Sequence, residues 1–343
     1  MSTTQTIFVT GASGYIAKHL VLKLLNAGFE VVGSVRRLDR GAEVRNAVAP
    51  NLTNPENLDQ RLRFAALDLT SDDGWDSALQ GCDALIHTAS PFPMAQPKDE
   101  DQIIRPAVDG ALRALRAADA AGIKRVVMTS STVAVMYSDL PAGRAAFDET
   151  DWTDLNHPAA TAYVKSKTLA EQAAWEFQQT EAPEMQLTMI NPAFVLGAPL
   201  DGNYGTSIEV IARLLSGKDP MLPQIAFPIV DVRDVAEMHL RALTHDASIG
   251  QRLIASDRTL WFQDIARVIK QAHPTRKIAT RNAPNFLIRL LARFDKALAS
   301  IVPVLGNDLR VSNDQARAVL DMDFIDADEA VLNSAAFLVD HGA

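Results

Sequence analysis

The feature that most constrains the fold is an alternation of short apolar runs with longer helical patterns between Thr6 and about Leu196. The near-continuous apolar character of these runs is typical of strands buried on both faces of a parallel sheet. Helical patterns at 102–121 and 160–181 are long enough to cross between such strands. The strand runs are "TIFVTGA" (6–12), "FEVVGSV" (29–35), "LRFAALD" (62–68), "ALIHTAS" (84–90), "RVVMTSS" (125–131) and "QLTMINPAFVLG" (186–197). The sequence therefore predicts an α/β fold on a doubly wound parallel sheet.

After Gly197 the alternation ends. The later segments are mainly helical and richer in Leu, Arg and Pro, with "FLIRLLARFDKAL" (286–298) the most apolar helix. Residues 226–243 and 250–256 have the pattern of a strand, a helix and a strand that return to the sheet. We expect two units: a cofactor-binding domain of residues 1–197 plus about 226–256, and a smaller, mainly helical substrate lobe of about 198–225 plus 257–343.

Charge and cysteine content limit the classes of partner. The chain has 33 basic and 42 acidic residues in 343, a net charge of −9, which argues against nucleic acid or an anionic membrane as the main partner. Cys82 is the only cysteine, so no intramolecular disulfide is possible and a reducing compartment is favoured. No apolar run approaches the ~18 residues of a membrane span, and the N-terminus runs directly into the first predicted strand. We predict a soluble cytoplasmic protein, a monomer or homodimer, without a metal site, that acts on a small molecule.

The first strand leads into the glycine-containing turn "VTGASGYIA" (9–17). Gly11 permits a tight turn, Gly14 lets the backbone approach a pyrophosphate, and Ala17 lets helix and strand pack closely. The following helix offers free amides and a partial positive charge to the anion. This context predicts a Rossmann-type dinucleotide site, with contacts from Thr10, Gly11, Ser13, Gly14, Tyr15 and Ile16.

The second strand ends in "SVRRLDR" (34–40), where an NAD-selective site usually has an acid. Arg36 and Arg37 occupy this place, so we expect them to bind the 2′-phosphate of NADP. His87, inside the fourth strand, is interpreted as structural. The remaining cofactor contacts are expected at strand ends, from Asp68, Leu69, Thr88, Ala89, Ser90, Pro192, Ala193 and Phe194.

Tyr163 and Lys167 stand four residues apart in "TAYVKSKTLAE" (161–171), so they project from one face of a predicted helix. Ser131 lies at the carboxyl end of the fifth strand, and ligands of such sheets bind outside these ends. The three side chains can therefore meet where a nicotinamide would lie, and Tyr163 and Lys167 are also assigned to the cofactor site.

Together with the glycine turn, "MTSSTVAV", "FDETDWTD" (147–154), "YVKSKTLAEQAAW" (163–175) and "IVDVRDVAEMH" (229–239) resemble the extended short-chain dehydrogenase/reductases. The likeness covers about residues 5–260 and is strongest to dihydroflavonol 4-reductases, cinnamoyl-CoA reductases and microbial NADPH-dependent aldehyde and ketone reductases. It implies that Ser131, Tyr163 and Lys167 are catalytic.

In that interpretation Tyr163 protonates the carbonyl oxygen, Ser131 binds this oxygen, and Lys167 holds the nicotinamide ribose. We expect Lys167 to lower the phenol pKa from about 10. Ser130 is an alternative to Ser131, because "TSS" permits a one-residue error. Asp109 stands where these reductases often have Asn, which leaves Asn-based support of the site open.

The loop "SPFPMAQP" (90–97) is apolar, which predicts a pocket for an uncharged hydrophobic or aromatic aldehyde or ketone. Two alternatives remain: a sugar-nucleotide epimerase or dehydratase, and a non-catalytic NADP-binding regulatory protein. The absence of an Asp-Glu pair after Ser131 and the presence of Arg36 count against the first, and the intact Ser, Tyr and Lys set counts against the second. The predicted substrate contacts are Phe92, Met94, Ser131, Val133, Phe194 and Tyr204.

Overall fold

The computed structural model describes residues 4–91 and 99–342. Within these ranges, one sheet has seven strands in the order β3-β2-β1-β4-β5-β6-β9 and a second has three in the order β10-β8-β7. Every pairing in the seven-stranded sheet is parallel, as expected. The strands are β1 (Thr6–Thr10), β2 (Glu30–Val35), β3 (Leu62–Ala66), β4 (Ala84–His87), β5 (Arg125–Thr129), β6 (Gln186–Pro192), β7 (Phe194–Leu196), β8 (Ala226–Asp231), β9 (Arg252–Ala255) and β10 (Arg258–Trp261).

Helices cover both faces of the large sheet because its strands are apolar on both sides. In β1, Ile7 and Val9 pack toward α1 and α8, whereas Phe8 packs toward α5 and α6 on the opposite face. The helices are α1 (Tyr15–Asn26), α2 (Gly41–Val48), α3 (Leu58–Arg61), α4 (Trp75–Ala78), α5 (Asp101–Ala120), α6 (Ala162–Thr180), α7 (Thr206–Leu215), α8 (Val232–Thr244), α9 (Phe262–Ala272), α10 (Asn285–Leu291), α11 (Lys296–Ile301), α12 (Asp314–Leu320) and α13 (Ala327–Asp340). The doubly wound α/β fold with a helical C-terminal part is confirmed.

Two strand expectations are wrong. Residues 186–197 form two strands, because β6 pairs with β9 of the large sheet only as far as Pro192 and β7 begins at Phe194. Phe194 then pairs with Ile229 of β8. The residues of β8 therefore join the small sheet, between β7 and β10, and only β9 returns to the large one.

The apolar segment 286–298 is also not one helix. It is divided between α10 and α11, and the Asp295 carboxylate accepts a hydrogen bond from the amide of Leu298 (3.2 Å), as an N-cap does at a helix start. Phe286 and Phe294 are 73% and 87% exposed, so this segment is less buried than its composition suggested.

Candidate active site at the carboxyl edge of the large sheet

The turn between β1 and α1 requires glycine at Gly11 and favours it at Gly14. Gly11 has φ +66°, and a Cβ there would lie 3.0 Å from the Cβ of Ala89. A Cβ on Gly14 would lie 3.2 Å from the carbonyl oxygen of Gly11. Gly14 directly precedes α1, whose first amides have no partners within the helix. This open backbone at a helix N-terminus fits a dinucleotide pyrophosphate.

The segment after β7 lies over this turn. The side-chain Nδ2 of Asn203 donates to the carbonyl oxygen of Ser13 (3.2 Å), and the Tyr15 hydroxyl donates to the carbonyl oxygen of Gly197 (2.9 Å). Burial raises the pKa of Tyr15 well above its usual value. Ile16 packs partly buried against the cluster around α1. Ser13 and Tyr15 thus fix the turn through contacts to the chain that follows the sheet.

Thr10 joins the carboxyl ends of β1 and β4. Its hydroxyl is hydrogen-bonded to Nδ1 of His87 (2.9 Å) and accepts from the amides of Thr88 and Ala89 (both 3.0 Å). Burial lowers the pKa of His87 to about 3, so the ring is neutral. This environment is that of a structural histidine, and it places Ala89 and Ser90 in a small crevice beside Lys167.

The two arginines after β2 differ in their surroundings. Arg37 is bound to the Asp39 carboxylate by two hydrogen bonds of 3.1 and 2.7 Å, whereas Arg36 has no hydrogen bond or ion pair among the described residues. Arg36 is exposed and helps lower the pKa of Asp68, after the larger effect of the hydrogen bonds from Thr70. Arg36 is therefore better placed than Arg37 to receive an anion.

Leu69, which the sequence predicted to contact the cofactor, contacts helix α5. Its carbonyl oxygen accepts a hydrogen bond from Arg113 on α5, and its side chain lies against Gly110. Leu69 therefore joins β3 to α5 at this edge of the sheet.

Ser131 and Tyr163 meet at the end of β5. Ser131 lies two residues beyond β5 and begins a single 3₁₀ turn, Thr132–Ala134, while Tyr163 is in the first turn of α6. The two hydroxyl groups are hydrogen-bonded to each other. Lys167 follows Tyr163 by one turn on the same face of α6, and its side chain lines a crevice with Ser130.

The electrostatics of this group differ from the expectation. Burial raises the pKa of Tyr163 to about 12, and the hydrogen bond from Ser131 opposes this rise. Burial also lowers the pKa of Lys167 to about 8, against the attraction of the Glu171 carboxylate. The expected lowering of the phenol pKa by Lys167 is therefore not observed, because desolvation dominates. At neutral pH, Tyr163 therefore retains its proton.

The neighbouring hydroxyl of Ser130 has a different partner. Its Oγ donates to Oε2 of Glu171 (2.5 Å), and Ser130 is buried. Ser131 is half-buried, and its Oγ also lies 3.4 Å from the carbonyl oxygen of Pro192. The geometry therefore favours Ser131 over Ser130 as the group beside Tyr163.

Asp109 does not support this site. It lies on α5 in a surface groove with Trp75 and Arg113, whereas α5 contributes Ala107 and Ala111 to the crevice beside Lys167. Asp109 therefore lies outside the crevice beside Lys167.

The predicted substrate residues lie in two hydrophobic clusters: Val133 packs against one, and Phe194 and Tyr204 pack against another. Val133 follows Ser131 in the 3₁₀ turn. Phe194 stacks on Phe227 with ring centroids 4.8 Å apart, and Tyr204 contacts Phe337 edge to face at 6.3 Å. Ala193, between β6 and β7, donates its amide hydrogen to Ala255 (2.9 Å). Phe92 and Met94 lie outside the described residues.

The sequence interpretation missed three buried polar residues around Ser130: Glu171, Asn191 and Arg252. The place of Glu171 could have been predicted from the sequence, because it follows Lys167 by four residues and lies on the same helix face as Tyr163 and Lys167. No sequence pattern indicated Asn191 or Arg252, since their contacts join positions that are distant in the chain. Among the described residues, no cluster of His, Cys, Asp or Glu is arranged to hold a metal ion, and no helix is long and apolar enough to cross a bilayer.

The parallel sheet, the glycine turn at its edge and the Ser, Tyr and Lys group define the class of the extended short-chain dehydrogenase/reductases. The chain belongs to the NAD dependent epimerase/dehydratase family, whose sequence profile matches residues 7–254.

Comparison with curated proteins and solved structures finds relatives along the whole chain. The chain is 32% identical to a putative NADPH-dependent methylglyoxal reductase, GRP2, of Candida albicans, across 99% of this chain and 100% of the relative. It is 34% identical to the cinnamoyl-CoA reductase CAD2 of Medicago truncatula, across 81% and 84%. The yeast methylglyoxal/isovaleraldehyde reductase Gre2, solved as a complex with NADPH, superposes with a TM-score of 0.80 at 27% identity, across 98% and 99%.

Proposed function

We propose that the protein is an NADPH-dependent reductase of hydrophobic or aromatic aldehydes and ketones, with Tyr163 as the general acid. The observation that carries the proposal is the hydrogen bond between the hydroxyls of Ser131 and Tyr163, at the same sheet edge as the glycine turn and one helical turn before Lys167. The relatives support this reaction class, because they include NADPH-dependent reductases of methylglyoxal and isovaleraldehyde and a cinnamoyl-CoA reductase.

Bound NADPH supplies the hydride that reduces the carbonyl carbon. The chain's own residues bind the carbonyl oxygen and supply its proton. Ser131 donates a hydrogen bond to this oxygen, which stabilises the negative charge that develops there. Tyr163, held protonated by burial, transfers its proton to the same oxygen. Lys167 carries a positive charge below about pH 8, which stabilises the phenolate that remains and allows its reprotonation.

Residues of the glycine turn and of the β2 end would hold the cofactor. The amides after Gly14 bind the pyrophosphate, and Arg36 binds the 2′-phosphate through charge-assisted hydrogen bonds. Ala89 and Ser90, after β4, line the crevice with Lys167, and Ala89 lies against Gly11 of the turn, so these residues would border the nicotinamide end of a bound cofactor. Lys167 holds the adjacent ribose.

The test is a spectrophotometric screen of NADPH consumption with methylglyoxal, isovaleraldehyde, benzaldehyde-type and diketone substrates, for the wild type and Tyr163→Phe. We expect turnover in the wild type and a loss of about 10²–10⁴-fold in Tyr163→Phe, because general acid catalysis contributes this much. NADPH binding, measured by fluorescence titration, should be unchanged in the variant. Retention of more than about a tenth of the wild-type rate would remove Tyr163 from the mechanism.

Tight NADPH binding without turnover of any carbonyl would instead favour a regulatory NADP-binding protein. The same screen with UDP-sugars tests the epimerase alternative, which lacks support in the residues after Ser131: Thr132, Val133 and Ala134.

A further inference from the structure

We propose that Glu171 is a positioning residue of this active site: its buried carboxylate, paired with Arg252, fixes the Ser130–Ser131 segment against α6, one helical turn after Lys167. The inference rests on the proposed roles of Ser131, Tyr163 and Lys167. It concerns residues that the proposed chemistry itself does not use.

The carboxylate of Glu171 is fully buried and binds three partners. Oε2 accepts hydrogen bonds from Oγ of Ser130 (2.5 Å) and Nδ2 of Asn191 (2.7 Å), and Oε1 accepts from Nε of Arg252 (2.6 Å). Nδ2 of Asn191 also lies 3.2 Å from the carbonyl oxygen of Ser131. Glu171 therefore holds the side chain of one serine directly and the backbone of the next through Asn191.

Arg252 is in turn held by the acidic-aromatic segment 147–154. Its Nη1 donates to the carbonyl oxygens of Glu149 (2.6 Å) and Asp151 (2.7 Å), and its guanidinium stacks over the Trp152 ring at 3.8 Å. The Glu149 carboxylate accepts from the amide of Ile254 in β9 (3.0 Å). These contacts give "FDETDWTD" a structural role, which is to enclose the arginine that pairs with Glu171.

The same segment supports the turn that follows Ser131. The amide of Thr153 donates to the carbonyl oxygen of Ala134 (3.0 Å), and its hydroxyl donates to the carbonyl oxygen of Val133 (2.6 Å). Thr153 thus holds the 3₁₀ turn after Ser131 directly. Glu171 holds the backbone of Ser131 through Asn191. A catalytic hydroxyl misplaced by 1 Å can lose about 10²-fold in rate, so such support matters to chemistry.

Glu171 also influences the charge of Lys167. The carboxylate is the group that opposes the effect of burial on the Lys167 ammonium, and α5 lines the crevice beside Lys167 with alanines alone. Without this anion, burial would remove the Lys167 proton at a lower pH. Two titratable groups interact with the Lys167 ammonium, Glu171 on α6 and His87 on β4. The next groups outward are Arg252 on β9, which pairs with Glu171, and Tyr137 after β5, which acts on Tyr163 one turn before Lys167.

The central variant is Glu171→Gln, which keeps the shape of the side chain and removes its charge. We expect kcat to fall about tenfold or more, with KM for NADPH within about twofold of the wild type. The alkaline limb of the kcat/KM profile should move to lower pH by roughly one unit. The matched control is Glu176→Gln, an exposed glutamate of the same helix, which should leave rate and profile unchanged.

Glu171→Gln leaves a buried arginine without its anion, and this alone can disturb folding. The double variant Glu171→Gln, Arg252→Met removes both charges and keeps the fold testable. We expect it to remain slow, with the profile still displaced. Recovery of the wild-type kcat and profile in the double variant would show that the pair is merely structural, and would overturn the inference.

The Tyr163→Phe variant separates this inference from the proposed function. If the wild type consumes no NADPH with any carbonyl, the proposed function is wrong. If Tyr163→Phe keeps its activity, the role of Tyr163 as general acid is wrong. If Tyr163→Phe is inactive while Glu171→Gln and the double variant behave as the wild type, only the positioning role of Glu171 is overturned.

Discussion

At the scale of single residues, cofactor choice depends on Arg36. The carboxylate of Asp39 already binds Arg37 through two hydrogen bonds, so Arg36 should carry most of the contact to a 2′-phosphate. A hydrogen bond between charged groups contributes about 1.5–3 kcal/mol, or roughly 10- to 150-fold in affinity. Arg36→Ala should therefore weaken NADPH by this factor and leave NADH almost unchanged, as measured by kcat/KM for both cofactors.

The control for this prediction is Arg40→Ala, because Arg40 is paired with Glu43. The double variant Arg36→Ala, Arg37→Ala tests whether Arg37 contributes after all. If the double variant keeps the wild-type preference for NADPH, the 2′-phosphate is recognised elsewhere.

A second residue-scale prediction concerns pH. Burial lowers the pKa of Lys167 to about 8, so its charge is present below this pH and lost above it. In the reduction direction, kcat/KM should therefore fall as pH rises through about 8. Lys167→Met should lower the rate throughout and abolish this limb of the profile. An unchanged profile in Lys167→Met would assign the limb to another group.

Some of these residue roles could be predicted from the sequence, and others could not. Tyr163 and Lys167 are one helical turn apart, so local spacing alone placed them together. The choice between Ser130 and Ser131 required the structure, because successive residues of an extended chain point to opposite sides. The pairing of Glu171 with Arg252 joins residues 81 positions apart, and no local pattern specifies such a contact.

At the scale of elements, α6 is the support of the chemistry. It begins at Ala162 directly after Thr161, whose hydroxyl accepts a hydrogen bond from the amide of Val164 (3.4 Å). Loss of an N-cap costs about 0.5–2 kcal/mol and loosens the first turn, which here carries Tyr163. Thr161→Ala should lower the free energy of unfolding by this amount and reduce kcat more than KM.

The matched control is Thr180→Ala at the other end of α6, where the hydroxyl donates to a carbonyl oxygen of its own helix and lies far from Tyr163. It should leave kcat unchanged. Equal effects of both substitutions on kcat would show that the cap does not act through the first turn. Urea unfolding monitored by circular dichroism measures the change in the free energy of unfolding for each variant.

The errors at this scale have a common cause. Apolar periodicity identified 226–231 as a strand, but it does not specify a partner, and this strand pairs with β7 and β10 instead of the large sheet. The parallel arrangement was predictable because each strand of the large sheet is buried on both faces. The division of 286–298 depended on Asp295, whose capping contact is local but easily masked by apolar neighbours.

At the scale of the whole molecule, stability should depend on three buried histidines. Burial lowers the pKa of His19 and His239 to about 4 and of His87 to about 3. In the unfolded chain these rings titrate near 6.5, so unfolding takes up protons below this pH. Their contribution is complete above about pH 6.5 and is lost as pH falls toward 4. Asp234, whose pKa burial raises to about 6, acts in the opposite direction and offsets part of this loss.

The free energy of unfolding should therefore decrease between pH 7 and 4.5, as measured by urea denaturation at a series of pH values. A fall in pKa from 6.5 to about 4 corresponds to roughly 3 kcal/mol for one ring. His239→Gln removes one titrating ring, whose nitrogens contact Thr129 and Val235 at 2.7 Å, so it should cost stability at pH 7 and flatten the pH dependence. His341→Gln, at an exposed ring, should change neither. A His239→Gln profile parallel to that of the wild type would show that His239 is not a source of the acid sensitivity.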